Sequence, residues 1–129
     1  MSMERKVIMI DGRGNIIMPT DIAHVWMSEP ELVELFGAIA PTLRAAVRAV
    51  YKSGVLKEYE VQKYVRLENG YYAEVFGFPM VAALAFRIDS FGAEQVRKAI
   101  FERLYLRKEK TSIFFSMGFN NMDSFNYQA

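Results

Sequence analysis

The 129-residue chain predicts a mixed α+β fold, read as a helix-turn-helix flanked by β-hairpins and followed by a C-terminal helical pair. Three observations predict it. Ser28-Glu29-Pro30-Glu31 carries the signals of a helix start, Asn69-Gly70 separates two Tyr- and Val-rich stretches, and residues 79–88 form an almost unbroken apolar run ahead of an amphipathic one. With 52% of its residues hydrophobic, the chain can bury a core, and its length suits one domain.

From the N-terminus, Lys6-Val7-Ile8-Met9-Ile10 and Ile16-Ile17-Met18 read as two short apolar strands around the turn Asp11-Gly12-Arg13-Gly14-Asn15. Gly12-Arg13-Gly14 superficially resembles a phosphate loop. It lacks the Lys-Ser/Thr ending and a following helix, so turn chemistry explains it better. Val25-Trp26-Met27 fits a short strand or the end of a helix capped by Thr20, and the strand is preferred.

Ser28 then caps a helix that begins near Glu29, with Pro30 in its first turn and Glu31 placed to reach back to the cap's amide. Leu32, Val33, Leu35 and Phe36 form its apolar stripe, and Gly37 supplies a left-handed stop. A second helix follows over residues 42–51. Leu43, Val47, Val50 and Tyr51 share one face, while Arg44 and Arg48 lie a turn apart on another, and Lys52-Ser53-Gly54 closes it with a basic last turn. In a DNA-binding helix-turn-helix this second helix enters the major groove.

Residues 58–67 and 71–76 read as a second hairpin, closed by the two-residue turn Asn69-Gly70. The hairpin lies where a winged helix carries its wing, so the predicted fold is winged-helix-like. Its Tyr64, Tyr71 and Tyr72 are more simply read as cross-strand packing than as base-stacking groups. Residues 79–88 then form a buried helix. After Asp89-Ser90, a second helix runs over about 93–106 with Glu94, Arg97, Lys98, Glu102 and Arg103 on its polar face. The domain so defined covers residues 1–110. A tail, 111–129, carries an apolar patch that includes Phe114 and Phe115 and is expected to dock on the body or on a partner chain.

Composition bounds the chemistry. No cysteine and a single histidine, His24, argue against disulfides, thiolate metal sites and a His-rich zinc site, so no cofactor and no metal is expected. His24 has no nucleophile or acid partner in the pattern, and no enzyme is predicted. Val7-Ile8-Met9-Ile10 is too short for a signal peptide, and no apolar run spans a membrane, so the expected location is cytoplasmic. The formal net charge is only +1, so nucleic-acid binding has to rest on a local basic patch.

The order of motifs resembles the N-terminal part of the RhuM virulence-protein family, related in outline to phage antirepressor-type proteins. Two blocks carry the resemblance: Val25-Trp26-Met27-Ser28 with Glu31-Leu32-Val33-Glu34-Leu35-Phe36-Gly37, continued by Thr42-Leu43 and residues 47–51; and residues 76–97, with Phe86-Arg87-Ile88-Asp89-Ser90, then Ala93 and Gln95-Val96-Arg97. Members are commonly longer, so the resemblance implies a shortened or standalone version. It implies a fold more than an activity. Where the family tends to have Ser or Thr at the start of the second helix this chain has Ile39, which cannot cap with a side-chain oxygen.

The reading that follows is a DNA-binding, transcription-regulator-like protein with a degenerate helix-turn-helix. Thr42, Arg44, Arg48 and Lys52 on the second helix and Lys63 and Arg66 in the wing are its expected duplex-DNA contacts. The alternative is an antirepressor-type interaction module that binds itself or another regulator through Ile39, Ala40, Pro41 and Ala45, or through Phe114 and Phe115. Arg87 is expected to cap the last carbonyls of its own helix.

Overall fold

A computed structural model of the chain describes residues 5–118, with side chains described as far as Tyr105. The described residues form five α-helices and two small antiparallel sheets, so the fold is mixed α+β. The chain divides into two compact units, Met1–Arg97 and Lys98–Ala129.

In the first unit β1 (Met9–Ile10) pairs with β2 (Ile16–Ile17), shorter than the apolar runs suggested. Lys6 is drawn off into a parallel bridge with Val25, its amide donating to the His24 carbonyl at 2.8 Å, which covers the outer edge of the next strand. Asp11 shapes the turn, its Oδ1 accepting from the amides of Arg13 at 2.8 Å and Asn15 at 2.9 Å. These bonds, Asn15 first, hold the Asp11 carboxyl below the usual carboxylate range.

A 3-10 helix (Ile22–His24) leads into β3 (Trp26–Ser28), so the segment before Ser28 is a strand. His24 has a partner after all: its Nδ1 meets the Asp21 carboxylate, because residues three apart eclipse on a 3-10 turn. Both side chains are exposed.

Helix α1 (Glu29–Phe36) starts with the anticipated capping box between Ser28 and Glu31, and Glu31 Oε1 accepts from the Ser28 amide at 2.8 Å. Gly37, at φ 64°, ends it. Helix α2 (Ala40–Ser53) begins with Ile39 as an N-cap that makes no side-chain bond, and a proline in the first turn stands in for the missing signal. Leu43 and Val50 are its buried anchors, and it packs on α1 and on the later apolar helix Phe78–Ala85.

The stretch 58–67 departs from the predicted strand. Glu58–Val61 is a short helix, α3, and the strand β4 (Gln62–Arg66) begins only after it. The Gln62 amide donates to the Glu58 carbonyl, and Val61 is buried, so tertiary anchoring overrides the β-propensity of Tyr59 and Val61. Strand β5 (Tyr72–Gly77) returns, and the three-stranded sheet has the order β3-β5-β4, all antiparallel. The connecting loop is longer than the expected two residues. The Leu67 amide donates to the Tyr71 carbonyl and the Gly70 amide to the Leu67 carbonyl, with Gly70 at φ 91° and no non-glycine residue at positive φ among the described residues. That is a type I turn followed by a left-handed glycine, rather than a two-residue turn needing positive φ at Asn69 as well.

Helix α4 (Phe78–Ala85) is apolar all round and buries Met80, Val81, Leu84 and Ala85. Helix α5 (Phe91–Gly118) starts after Ser90, whose Oγ accepts from the Ala93 amide at 3.1 Å. The last carbonyl of α4 is capped by Arg97, not by Arg87: Arg97 Nη1 donates to Ala85 O at 2.6 Å, and also to Ile88 O in the following turn at 3.2 Å. Arg87 is exposed, because α4 ends at Ala85 and the chain turns it outward.

The second unit is helical through the end of α5, well past the predicted stop near residue 106, since residues 106–117 contain no glycine or proline to end it. Phe101, Leu104 and Tyr105 are exposed there. Phe114 and Phe115 are part of α5; their side chains lie outside the described residues, as do residues 119–129, and so does the docking expected of the tail. No described helix is long and apolar enough to cross a membrane.

Candidate nucleic-acid interface

Helix α2 contains three cations and no acid, and its exposed side carries Thr42, Arg44, Arg48 and Lys52. The four-residue spacing of Arg44, Arg48 and Lys52 stacks them along one stripe, because side chains four apart lie over one another on a helix. The stripe gathers three positive charges in a chain whose formal net charge is only +1. The side chains of Arg48 and Lys52 make no hydrogen bond or ion pair among the described residues.

Arg44 is different. Its Nε donates to Glu29 Oε2 at 2.9 Å and its Nη2 to Glu29 Oε1 at 3.3 Å, a two-point pair that joins the start of α1 to α2. Glu29 hydrogen-bonds the guanidinium and so raises its pKa further. The carboxylate offsets the charge of this guanidinium and occupies its Nε–Nη2 edge, leaving its Nη1 side to meet a guanine edge or a phosphate.

The β4–β5 hairpin separates Lys63 and Arg66, the two cations expected there to touch DNA. In an unbroken antiparallel ladder, residues directly opposite project to the same side and neighbours alternate. Gln62 pairs with Phe76, Tyr64 with Glu74 and Arg66 with Tyr72, so these six share one face, while Lys63 projects to the other. Lys63 Nζ lies over the Trp26 ring, 3.9 Å from its centroid, a cation–π contact that holds it on that side. Trp26 in turn lies against Gly77, where an added Cβ would come within 3.3 Å of the indole. Beyond Trp26 is a cleft of about 280 Å³ that also touches Ile22, Phe78 and Pro79, with Glu60 as the charged group in its lining. None of its lining residues belongs to α2.

The Arg66 face is tied to α2. Tyr51 Oη donates to Gln62 Oε1 at 2.6 Å, and Gln62 Nε2 donates to Glu74 Oε2 at 2.6 Å. Burial, with Glu58 and Glu74 nearby, pushes the Tyr51 hydroxyl up to about 12, so it remains a donor throughout the neutral range. Arg66 thus shares a face with the contact to the C-terminal end of α2, and Lys63 does not.

Of the apolar face read as a partner surface, Ile39 is 67% exposed, Pro41 and Ala45 are exposed, and Ala40 is half-buried. Ala40, Pro41 and Ala45 are on the helix that carries the basic stripe, and Ile39 caps it.

Two features were missed in the sequence. Arg5, with a side chain only 3% exposed, forms a two-point pair with Glu31 at 2.8 and 3.0 Å, donates to Trp26 O at 2.7 Å and reaches Glu68 at 3.4 Å. It connects the chain before β1, the capping box of α1 and the hairpin loop. Gly92 is the other: an added Cβ would stand 2.1 Å from Leu35 O. Neither has a local signature, since their partners are distant in sequence. No family model, curated protein or solved structure matches the chain.

Proposed function

We propose that the protein is a non-enzymatic DNA-binding regulator of winged-helix type, with α2 as the recognition helix and the β4–β5 hairpin as the wing. The observation that carries this reading is topological. A strand, two helices joined by a three-residue turn, and a returning hairpin close into the sheet order β3-β5-β4, with an acid-free, triply basic helix exposed beside it. That strand order is one a winged helix uses, and it supports the reading, although a short helix α3 precedes the hairpin. Arg48 and Lys52 supply phosphate contacts, Thr42 stands at the groove-facing N-terminal turn, and Arg66 extends the contact from the wing.

The paired state of Arg44 tunes the affinity. Binding of a labelled random duplex, followed by fluorescence anisotropy over a salt series, is expected to weaken steeply with salt. In Arg44→Ala/Arg48→Ala the salt slope should fall by about one for each phosphate no longer neutralised. Glu29→Gln frees Arg44 and removes a carboxylate beside the incoming phosphates, so it should tighten binding about two- to fivefold at low salt. Unchanged binding in the double arginine variant would remove α2 from the interface.

The exposure of Ile39, Pro41 and Ala45 favours one second reading, an antirepressor-type module in which this apolar turn contacts another chain. A monomer across the micromolar range in sedimentation with no recoverable partner, together with salt-dependent duplex binding, would decide against it.

A further inference from the structure

Resting on the nucleic-acid reading above, we propose that the outer face of the β4–β5 hairpin is a stacking platform for unpaired bases, formed by Tyr64 and Tyr72 with Arg66 beside them. The ladder puts Tyr64 opposite Glu74 and Arg66 opposite Tyr72, so the two tyrosines occupy diagonal corners of one four-residue patch. Each is 71% exposed, and neither hydroxyl makes a hydrogen bond among the described residues. Cross-strand packing, the simpler expectation for aromatic residues in a hairpin, therefore does not account for them. Each tyrosine faces a charged residue instead of another ring.

The spacing selects the ligand. Diagonal neighbours on an antiparallel pair stand roughly 7–8 Å apart. Nucleotides in B-form duplex repeat at about 3.4 Å along each strand, with their faces already covered by neighbouring bases. Side chains rooted at about twice that repeat leave room for bases pulled out of the stack to lie on each ring, and they offer nothing to the interior of an intact duplex. Single-stranded or locally melted DNA presents such bases.

The surroundings supply the rest of a single-strand site. Arg66 is in the patch itself as a phosphate or cation–π partner, and its guanidinium lies 3.9 Å from where a Cβ on Gly70 would be, folded toward the loop. The fourth corner, Glu74, is engaged by the Gln62 amide, and Gln62 is held by Tyr51 of α2. The platform is therefore fixed to the helix that carries the basic stripe. Phosphates held along α2 would lead a strand toward the tyrosines, whose π-faces accept any base, so the contact is tolerant of sequence.

The test uses the full chain and three labelled probes: a twelve-nucleotide oligothymidine, a random duplex, and the same duplex with a central unpaired bubble. The oligothymidine and the bubble should bind at least tenfold tighter than the intact duplex. Tyr64→Ala/Tyr72→Ala should remove at least tenfold of that affinity while leaving the salt slope unchanged, because stacking releases no counterions. Tyr64→Phe/Tyr72→Phe should retain it. Both variants should melt with the wild type, since the rings are exposed. If the alanine variant binds the unpaired probes like wild type while Arg44→Ala/Arg48→Ala loses duplex binding, the platform is overturned and the DNA reading stands. If the wild type binds none of the probes, the platform and the DNA reading are both overturned.

Discussion

Gly92→Ala is expected to destabilise the first unit by about 3 kcal/mol and to lower its melting temperature by about 10 °C or more. Two effects compete at this position. Gly92 sits in the first turn of α5, where alanine is the better helix former by roughly 1 kcal/mol. Against that, the new Cβ would stand 2.1 Å from Leu35 O, 2.9 Å from Phe36 Cα and 3.1 Å from Leu35 C. All three are backbone atoms at the end of α1, so no rotamer change relieves the contact. Ordinary contact needs a shift of roughly 1 Å or more of one helix end against the other, in a region where Leu35, Phe36, Ala93 and Val96 are all buried. The clash wins. Gly12→Ala is the matched control: nothing lies within 4 Å of its added Cβ and its φ is not positive, so thermal melts should show little change there. A Gly92→Ala protein that melts with the wild type would mean that α5 does not approach α1 this closely.

What sequence could and could not reveal follows the range of the interactions. The Ser28–Glu31 box, the left-handed stop at Gly37 and the basic close of α2 are determined within four residues, and each was legible. So was the stripe of Arg44 and Arg48, because it depends only on helical period. The short α3 was not: Tyr59 and Val61 favour a strand locally, and the burial of Val61 decides otherwise. Arg87 and Arg97 show the same limit. Either could reach the end of α4 by its place in the sequence, and only the turn at residues 86–90 shows that Arg97 arrives and Arg87 faces outward. For the candidate site, the type of residue was legible and its availability was not. Neither the carboxylate on Arg44 nor the indole under Lys63 comes from the element that carries the cation.

Glu31→Ala is expected to cost roughly 3–5 kcal/mol, more than Arg5→Ala, and to change how the protein responds to acid. The asymmetry comes from what each deletion leaves behind. Without Glu31, Arg5 is a cation with only 3% of its side chain exposed, holding the Trp26 carbonyl and a distant contact to the exposed Glu68, and its Nε already has no partner. The Ser28 amide loses its acceptor as well, so the α1 capping box goes with it. Without Arg5, Glu31 keeps the Ser28 amide and the 29% of its side chain that meets water, and the loss should be nearer about 2 kcal/mol. The double variant should cost clearly less than the sum, because the unpaired buried charge is removed with its partner. Burial opposes ionisation of Glu31, but the Arg5 pair and the Ser28 amide outweigh it and hold the carboxyl below its ordinary value. A folded-state pKa that is depressed contributes stability above the unfolded value, about 4.3, and that contribution is lost as pH falls through the folded value. Wild-type melting temperature should therefore decline below about pH 4.5 in a part that Glu31→Gln, already less stable at neutral pH, no longer shows. Parallel acid profiles for the two proteins would mean that Arg5 does not pair with Glu31 in solution. The junction between the chain before β1, the start of α1 and the hairpin loop would then lack the charge that joins them.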